Sequence, residues 1–463
     1  MSIEGLTLKG YNLPLIQLAF RKPPYGKEQA HYDPLVGLRM YGPYKAVNVN
    51  ILHIKIKQWS DELSSEIFEA LSNLISNILD EYLKKAGARV KIEDEELDSL
   101  KDIISEDHDL QKRIVGDLES IVNRHKDSVI LAYLPRHKLG SHISEKIYAK
   151  IKALGLQIGF ITQLYSKKVV DATKKHVKKE EDSESYGAIL RNISLNILAK
   201  AGGIPWALYN ELEYDIVIGL SWSLKKLYEY STGPAVKYYG VVHTFSRIGV
   251  WEAFKAFICG SKEKFLLDAL WESLNYIIKT DLPRREIKYR RVLIMTRERL
   301  KSEYLESLSK HLKDEYGYSL DVAMVSTHIP VRMYDLSVNT YLVPSGLYFF
   351  ESEESAYIVT TGRRRDVKYT GIGVPKPVRV SVLYSSDGKF EALRRTLKAT
   401  YALTAMNWRS FWGSLRLPTP IHYSKLVARS FLLMEEVDIK NAFVKHGDYL
   451  YKPQKYEDRP WFI

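Results

Sequence analysis

Lys200 is a cation at the predicted end of a helix. In the stretch LNILAKAGGIPWAL (Leu195–Leu208), apolar residues recur at helical spacing, and Gly202, Gly203 and Pro205 then end the helix. A lysine in the last helical turn complements the negative end of the helix dipole. The same ammonium group could instead hold an anion such as a phosphate. The stretch alone therefore leaves two alternatives, a helix cap and an anion site.

The elements before Lys200 form a predicted β–α–β unit. The apolar run Ser128–Pro135 ends at a proline and predicts a buried strand. A helix is predicted over Ser141–Gly155, and a second strand over Leu156–Ser166. Ligands of such sheets bind beyond the strand ends. The polar stretch Lys167–Ser185 predicts an exposed loop between this unit and the helix of Lys200.

The rest of the chain also predicts an α/β fold. The alternating run Val49–Trp59 predicts a strand, Ser60–Gly87 an amphipathic helix that starts with a serine cap, and the acidic segment Glu93–His125 further helix. Beyond Leu208, apolar runs such as Tyr214–Ser223 alternate with helical stretches, which predicts a mixed sheet flanked by helices. The turn after Lys200 places a domain boundary near residue 210.

Composition limits the class of protein. A chain of 463 residues is expected to form two or three domains. Its 68 Lys and Arg against 56 Asp and Glu indicate a polyanionic partner, most often nucleic acid, although a basic surface without a specific partner is the alternative. The single cysteine, Cys259, excludes a disulfide within the chain and a thiolate zinc cluster, and favours the cytoplasm. We expect no transmembrane helix and no signal peptide.

Five segments together resemble the Argonaute family: GLRMYGPY, NISLNILAKAGGIPW, YDIVIGLSWS, GVPKPVRVSVLY and LTAMNWRSFWGSLRLPTPIHYSKLVA. They occur in the family's order and span most of residues 35–463. The sequence is similar to a short prokaryotic, archaeal-like Argonaute without a PAZ domain. The resemblance implies a Rossmann-like MID domain over 59–210 and an RNase H-like PIWI domain over 211–463. Residues 1–58 would be an N-terminal segment that packs on PIWI.

The resemblance also implies a pocket for the 5′-phosphate of a guide strand. The family's Tyr-Lys-Gln-Lys set corresponds to Tyr148, Lys152, Gln163 and Lys200, with Gln157 as an alternative to Gln163. Tyr148 and Lys152 are four residues apart and therefore share a helix face. Two ammonium groups, an amide donor and an aromatic platform for the first base suit a terminal phosphate. Taken singly, each of the four is also an ordinary structural or solvated side chain.

A magnesium ion is the implied cofactor beside that phosphate. Family members of this type bind a divalent cation with the carboxylate of an apolar last residue, which is Ile463 here. Asn196, one helical turn before Lys200, could supply another oxygen ligand. The cation would offset the repulsion between the terminal carboxylate and the guide phosphates.

Cleavage by a PIWI domain needs a cluster of carboxylates that holds two metal ions. The family's first aspartate is replaced by Ser221, its second acid matches Glu298 only loosely, and its last acid or histidine is replaced by Lys425. A lysine repels Mg²⁺. Asp215 and Glu252 are nearby acids that do not match the motif. We therefore expect a catalytically inactive scaffold, and not an enzyme.

Three functions remain open from the sequence. The favoured one is an inactive Argonaute that pairs a guide RNA or DNA with invading target DNA. It would signal through a separate effector protein, which could be membrane-associated, in antiviral or anti-plasmid defence. The alternatives are a divergent guide-directed nuclease that uses Glu298, Asp215 or Glu252, and a guide-independent nucleic-acid-binding protein. Candidate contacts to backbone phosphates are Arg284, Arg285, Arg290, Arg291, Arg363, Arg364 and Arg365.

Overall fold

The computed structural model describes residues 10–21, 28–178, 183–229, 233–260, 263–281, 287–362, 374–411, 415–456 and 458–462. The helices are α1 Pro34–Tyr41, α2 Ser65–Leu83, α3 His108–Arg124, α4 Arg136–Leu154, α5 Lys167–Val177, α6 Ser183–Lys200, α7 Glu263–Asp281, α8 Ser302–Tyr316, α9 Lys389–Leu403, α10 Thr419–Phe431 and α11 Glu436–Ala442. The strands are β1 Tyr11–Asn12, β2 Leu18–Phe20, β3 Gln29–His31, β4 Val49–Ile56, β5 Val90–Leu97, β6 Val129–Tyr133, β7 Ile161–Tyr165, β8 Ala207–Leu208, β9 Ile216–Glu229, β10 Gly233–Ser246, β11 Trp251–Cys259, β12 Arg291–Thr296, β13 Ser319–Ser326, β14 Leu347–Phe350, β15 Ser355–Ile358, β16 Val378–Ser385, β17 Phe443–His446 and β18 Leu450–Pro453.

The first half of the chain is built on a four-stranded parallel sheet in the order β5-β4-β6-β7. All five residues of β6 are buried, as expected for a central strand covered on both faces. The helices α2, α5 and α6 contact one another, whereas α3 and α4 both contact the turn Lys101–Ile104. The strand order reverses between β4 and β6, which is the pattern of a doubly wound sheet.

The N-terminal boundary needs a correction. We predicted that residues 1–58 form a separate segment that packs on the C-terminal half. The strand β4 instead pairs with β5 and β6 inside the parallel sheet. Only earlier residues depart from this unit, since β1 pairs with β14 and β2 pairs with β3 and β8. Strand pairing therefore moves the boundary from residue 58 to a point before Val49.

Two predictions of secondary structure were wrong. The start of the acidic segment Glu93–His125 belongs to β5, an edge strand, and only its second part forms α3. Glu93 and Glu95 contact His125 from that edge, which explains the acidic composition. The stretch Lys167–Ser185 was predicted to be a loop, but it contains α5 and the start of α6. Residues 169, 170, 172 and 173 form the buried face of α5.

The second half is built on an eleven-stranded mixed sheet in the order β1-β14-β15-β16-β13-β12-β9-β10-β11-β18-β17. The long strands β9, β10 and β11 form an antiparallel meander, and β12 runs parallel to β9. The helix α10 lies across β9 and β10, where a Cβ on Gly219 would be 2.3 Å from the carbonyl oxygen of Pro420. No helix in the described residues is long and apolar enough to cross a membrane.

Candidate nucleic-acid interface

Three elements bring the four predicted phosphate-binding residues together. Tyr148 and Lys152 lie one turn apart near the end of α4, Gln163 lies at the centre of β7, and Lys200 is the last residue of α6. The strand β7 is the edge of the parallel sheet and contacts both helices. The backbone of this edge strand therefore faces the two lysines. The alternative Gln157 is exposed in the turn Gly155–Gly159.

Both lysine ammonium groups point at the same backbone oxygen. The Nζ atoms of Lys152 and Lys200 donate hydrogen bonds to the carbonyl oxygen of Thr162, at 2.7 and 3.0 Å. Lys200 also donates to Oε1 of Gln163 at 2.6 Å. Lys200 is 1% exposed, so it is not a solvated cation in the last turn of its helix. Lys200 is therefore more than a solvated helix cap, and the anion site stays a prediction.

The end of the chain closes one side of this pocket. Lys152 Nζ donates to the carbonyl oxygen of Trp461 at 2.7 Å, and the Tyr148 hydroxyl donates to that of Phe462 at 3.1 Å. Trp461 and Phe462 are buried among aromatic side chains. Ile463 follows directly but lies outside the described residues, so its predicted carboxylate ligand stays a prediction.

Burial makes the pocket an unfavourable place for two cations. Desolvation, with a smaller contribution from the nearby Arg409 guanidinium, lowers the pKa of Lys152 to about 7 from an ordinary value of 10.5. Desolvation, Lys152 and Arg409 together hold the pKa of Lys200 well below its usual range. An anion in the pocket would reverse this effect, because it stabilises the charged form of both lysines.

Sequence analysis missed two arginines of this pocket. The guanidinium group of Arg136 lies 5.9 Å from the centre of the Tyr148 ring, and the Lys152 ammonium lies 5.3 Å from it. Arg409 is exposed and close enough to act on Tyr148, Lys152 and Lys200. A signal for Arg136 was available, because it begins the helix after a parallel strand, where ligands of such sheets bind. Arg409 is about 200 residues away in sequence, and only the fold brings it here.

Two buried oxygens beside the lysines have no hydrogen-bond partner among the described residues. They are Oδ1 of Asn196, one turn before Lys200, and Oγ1 of Thr162. An unpaired buried amide oxygen is costly unless a ligand or water satisfies it. Mg²⁺ prefers oxygen ligands. Asn196 therefore fits the predicted magnesium site by its chemistry.

The three positions aligned with the family's catalytic acids lie around one place on the large sheet. Ser221 is buried on β9, Glu298 is exposed just beyond β12, and Lys425 is exposed on α10. Met295 on β12 pairs with Gly219 on β9, and the two strands are parallel. Two residues further along, residue 297 therefore lies at the level of Ser221, and Glu298 follows it. Within the described residues, no group of three or more His, Cys, Asp or Glu side chains is placed to hold a metal ion.

The two other acids lie elsewhere. Asp215 precedes β9, six residues from Ser221, and its carboxylate accepts backbone N–H groups of Lys288, Tyr289 and Arg290 at 2.7–3.3 Å. It therefore holds a turn. Glu252 lies on β11, four residues from the Ala256 that pairs with Val241, the partner of Ser221. At about 3.3 Å per residue, neither acid shares a cluster with Ser221.

The predicted phosphate-contacting arginines are only partly described. Arg290 is exposed after the turn held by Asp215, and Arg291 forms an ion pair with Asp387 at 3.3 Å. Arg284, Arg285, Arg363, Arg364 and Arg365 lie outside the described residues.

Sequence comparison identifies the family. The model of the Piwi domain matches residues 139–433, which is more than half of the chain. The Argonaute protein of Pyrococcus furiosus is 22% identical over 365 residues, covering 75% of this chain and 42% of its own length. The Argonaute protein of Aquifex aeolicus is 21% identical over 421 residues, covering 88% of this chain and 50% of its own length. The chain thus spans about half the length of the curated relatives it matches.

Solved structures share the fold at low identity. Clostridium butyricum Argonaute, bound to a guide DNA with a 5′ deoxycytidine and a 19-mer target DNA, superposes with a TM-score of 0.65 at 16% identity, covering 92% of this chain and 53% of that one. Drosophila Piwi superposes with a TM-score of 0.66 at 15% identity, covering 98% of this chain and 56% of the Piwi chain. These matches confirm the predicted fold, a Rossmann-like MID domain with an RNase H-like PIWI domain. The chain belongs to the Piwi-domain family, alongside the Argonaute proteins.

Proposed function

We propose that this protein binds the 5′-phosphorylated end of a guide strand in the pocket of Tyr148, Lys152, Gln163 and Lys200, and pairs that guide with a target strand. The observation that carries the proposal is the convergence of two buried ammonium groups on the Thr162 carbonyl. A buried pair of like charges costs free energy in the empty protein. A terminal phosphate between them would turn that cost into binding energy.

The hydrogen-bonding capacity of the lysines supports this assignment. Each ammonium group carries three N–H donors. Within the described residues Lys152 uses two of them, on Thr162 and Trp461, and Lys200 uses two, on Thr162 and Gln163. The two lysines also hydrogen-bond each other, so a phosphate oxygen bound by both would replace that contact. The Tyr148 ring, already flanked by Lys152 and Arg136, offers a stacking surface for the first base.

A bound Mg²⁺ is part of the proposal. Asn196 would contribute its unpaired side-chain oxygen, and the terminal carboxylate of Ile463 is the second proposed ligand. The ion would supply positive charge between that carboxylate and the guide phosphates. The role of the protein's own residues is to place oxygen ligands beside the phosphate pocket.

We further propose that the PIWI half does not cleave the target. Ser221 and Lys425 are not metal-binding side chains, and Asp215 is occupied with backbone N–H groups. A chain that recognises target DNA without cutting it needs a separate effector protein to act on invading DNA in the cytoplasm. Whether the guide is RNA or DNA is a separate question, because the pocket contacts the phosphate and the first base only.

Pairing with a target is supported by the structural similarity to the Clostridium butyricum protein, which holds both a guide and a target DNA. The test uses the full chain with guides that differ only at the 5′ end. We expect tighter binding of the phosphorylated guide than of the hydroxyl guide, and capture of complementary target only after loading. Equal affinity for both ends would favour a guide-independent nucleic-acid-binding protein and overturn the proposal.

A further inference from the structure

Three cationic side chains lie near one another at the level of Ser221 on the large sheet. Arg297 follows β12 directly, and Lys425 and Arg429 lie one turn apart on α10. The pair Met295–Gly219 sets the register of β12 on β9, so two residues further the chains reach Arg297 and Ser221. The Ser424 hydroxyl donates to the carbonyl oxygen of Gly219 at 2.9 Å, which fixes Lys425 at the same level. Rigid elements therefore hold the three cations together.

No acidic partner neutralises this cluster within the described residues. Burial lowers the pKa of Lys425, and Arg297 and Arg429 lower it further, so the charged groups that act on Lys425 are both cations. Glu298, next in the chain to Arg297, is exposed, and its backbone N–H bonds to the Thr296 hydroxyl. Like charges without counter-ions destabilise a fold unless an anion binds between them.

The helix α10 connects this cluster to the guide pocket. His422 lies one turn before Lys425, and its half-buried ring is flanked by two cations. Burial lowers the pKa of His422 to about 4, with smaller contributions from Arg409 and Lys425. Arg409 is the same guanidinium group that acts on Lys152 and Lys200. Positive charge thus continues from the phosphate pocket along α10 to Ser221.

We infer that Arg297, Lys425 and Arg429 form a second phosphate site, which binds a backbone phosphate of the guide–target duplex at the position where a nuclease of this fold would hold metal ions. The inference rests on the proposed function, because the duplex exists only when a guide is loaded. Protein cations bind a phosphate but do not generate a metal-bound nucleophile. The site would therefore bind the backbone phosphate without cleaving it.

The test compares two charge-neutralised variants of the full chain. One carries Arg297→Gln, Lys425→Gln and Arg429→Gln. The matched control carries Lys112→Gln, Arg113→Gln and Lys126→Gln, three exposed cations on or beside α3, which packs on the other sheet. Both are loaded with the same 5′-phosphorylated guide, and target affinity is measured over a series of salt concentrations.

We expect the first variant to load guide normally but to bind target at least about tenfold more weakly, with the salt slope reduced by about one for each lost phosphate contact. The control should match the wild type. An unchanged target affinity and salt slope in the first variant would overturn the inference while leaving guide loading intact. Failure of the wild type to load guide would overturn the proposed function, and the inference with it.

A second measurement locates the phosphate. Single uncharged methylphosphonate linkages are moved along the target strand in one arm and along the guide strand in the other. One position in one strand should weaken the wild-type complex by roughly tenfold, yet change the affinity of the triple variant less than twofold, because the contact is already lost. Equal sensitivity of wild type and variant at every position would contradict a specific phosphate site.

Discussion

Lys152 and Lys200 donate hydrogen bonds to one and the same carbonyl oxygen, that of Thr162. The two lysines come from different helices, 48 residues apart, and each is at most 3% exposed. Charging both lysines in the empty protein is unfavourable, and an anion nearby would stabilise the charged forms. Several measurable consequences depend on this pair.

Affinity for a phosphorylated guide should fall as the pH rises above 7. In the free protein the pKa of Lys152 is near 7, and a bound phosphate would raise it. Guide binding therefore takes up a proton at pH values between 7 and the pKa of the bound state. The guide's own phosphate is already dianionic there, with a second pKa of about 6. Each coupled proton lowers the affinity up to about tenfold per pH unit, and Lys200, whose pKa is also lowered, can contribute a second one. Binding isotherms from pH 7 to 9 test this, with a hydroxyl-ended guide as the reference; a pH-independent affinity ratio would contradict it.

Removal of divalent cations should weaken the binding of phosphorylated guide if Asn196 helps to hold Mg²⁺. We expect a chelator to raise the Kd of the wild type several-fold, and to have a smaller effect on Asn196→Leu, which lacks the oxygen ligand but keeps the side-chain size. A chelator effect of equal size in both proteins would separate Asn196 from the cation. Hydroxyl-ended guide serves as the control in each case.

The contact between α10 and β9 should be intolerant of a single methyl group. In Gly219→Ala the new Cβ meets the backbone of Pro420 at 2.3 Å, so the helix must move, at a cost of about 1–3 kcal/mol in the free energy of unfolding. The control is Gly116→Ala on α3, where no atom lies within 4 Å, and which should stabilise by about 0.5–1 kcal/mol. Urea unfolding measures both. Equal changes in the free energy of unfolding for the two substitutions would show that α10 does not pack against Gly219 through Pro420.

No guide-directed cleavage is expected with Mg²⁺ or Mn²⁺. The reason is that Ser221 and Lys425 replace two ligands, and Lys425 adds positive charge where a metal ion would bind. The assay incubates loaded protein with labelled complementary target and resolves the products on a gel. Cuts at a single position that require the guide and disappear with a chelator would support the nuclease alternative instead.

Sequence analysis selected four residues that the fold brings together, but it misassigned elements around them. Lys200 and Gln163 could be proposed because the sequence resembles the Argonaute family, and the fold places their side chains 2.6 Å apart. By contrast, β5 was misassigned to a helix, since an edge strand with ion-paired glutamates looks like a solvated helical face. The helix α5 was assigned to a loop because its buried face is only four residues wide. Local composition predicts secondary structure poorly where contacts with distant parts of the chain determine whether a segment forms a strand or a helix.

The contributions of distant residues could not be predicted at all. The carbonyl oxygens of Trp461 and Phe462 carry no side-chain signal, yet they accept hydrogen bonds from Lys152 and Tyr148. Arg409 reaches the pocket only through the fold, because its segment is joined to α6 by a hydrogen bond from the Phe411 backbone N–H to Oδ1 of Asn192. The boundary before Val49 was missed for a similar reason, because an alternating run does not show which sheet it will join.

The most direct test of the account is the ratio of dissociation constants for hydroxyl-ended and 5′-phosphorylated guides, at one salt concentration, in wild type and in Lys152→Ala with Lys200→Ala. Charge-assisted hydrogen bonds contribute roughly 1.5–3 kcal/mol each, so the double variant should bind phosphorylated guide at least about tenfold more weakly. Lys152→Met with Lys200→Met keeps the buried stems and guards against misfolding. Lys146→Ala with Lys178→Ala, two exposed lysines, is the control. The account predicts a ratio near one in both pocket variants and a wild-type ratio in the control; an unchanged ratio in folded pocket variants would contradict it.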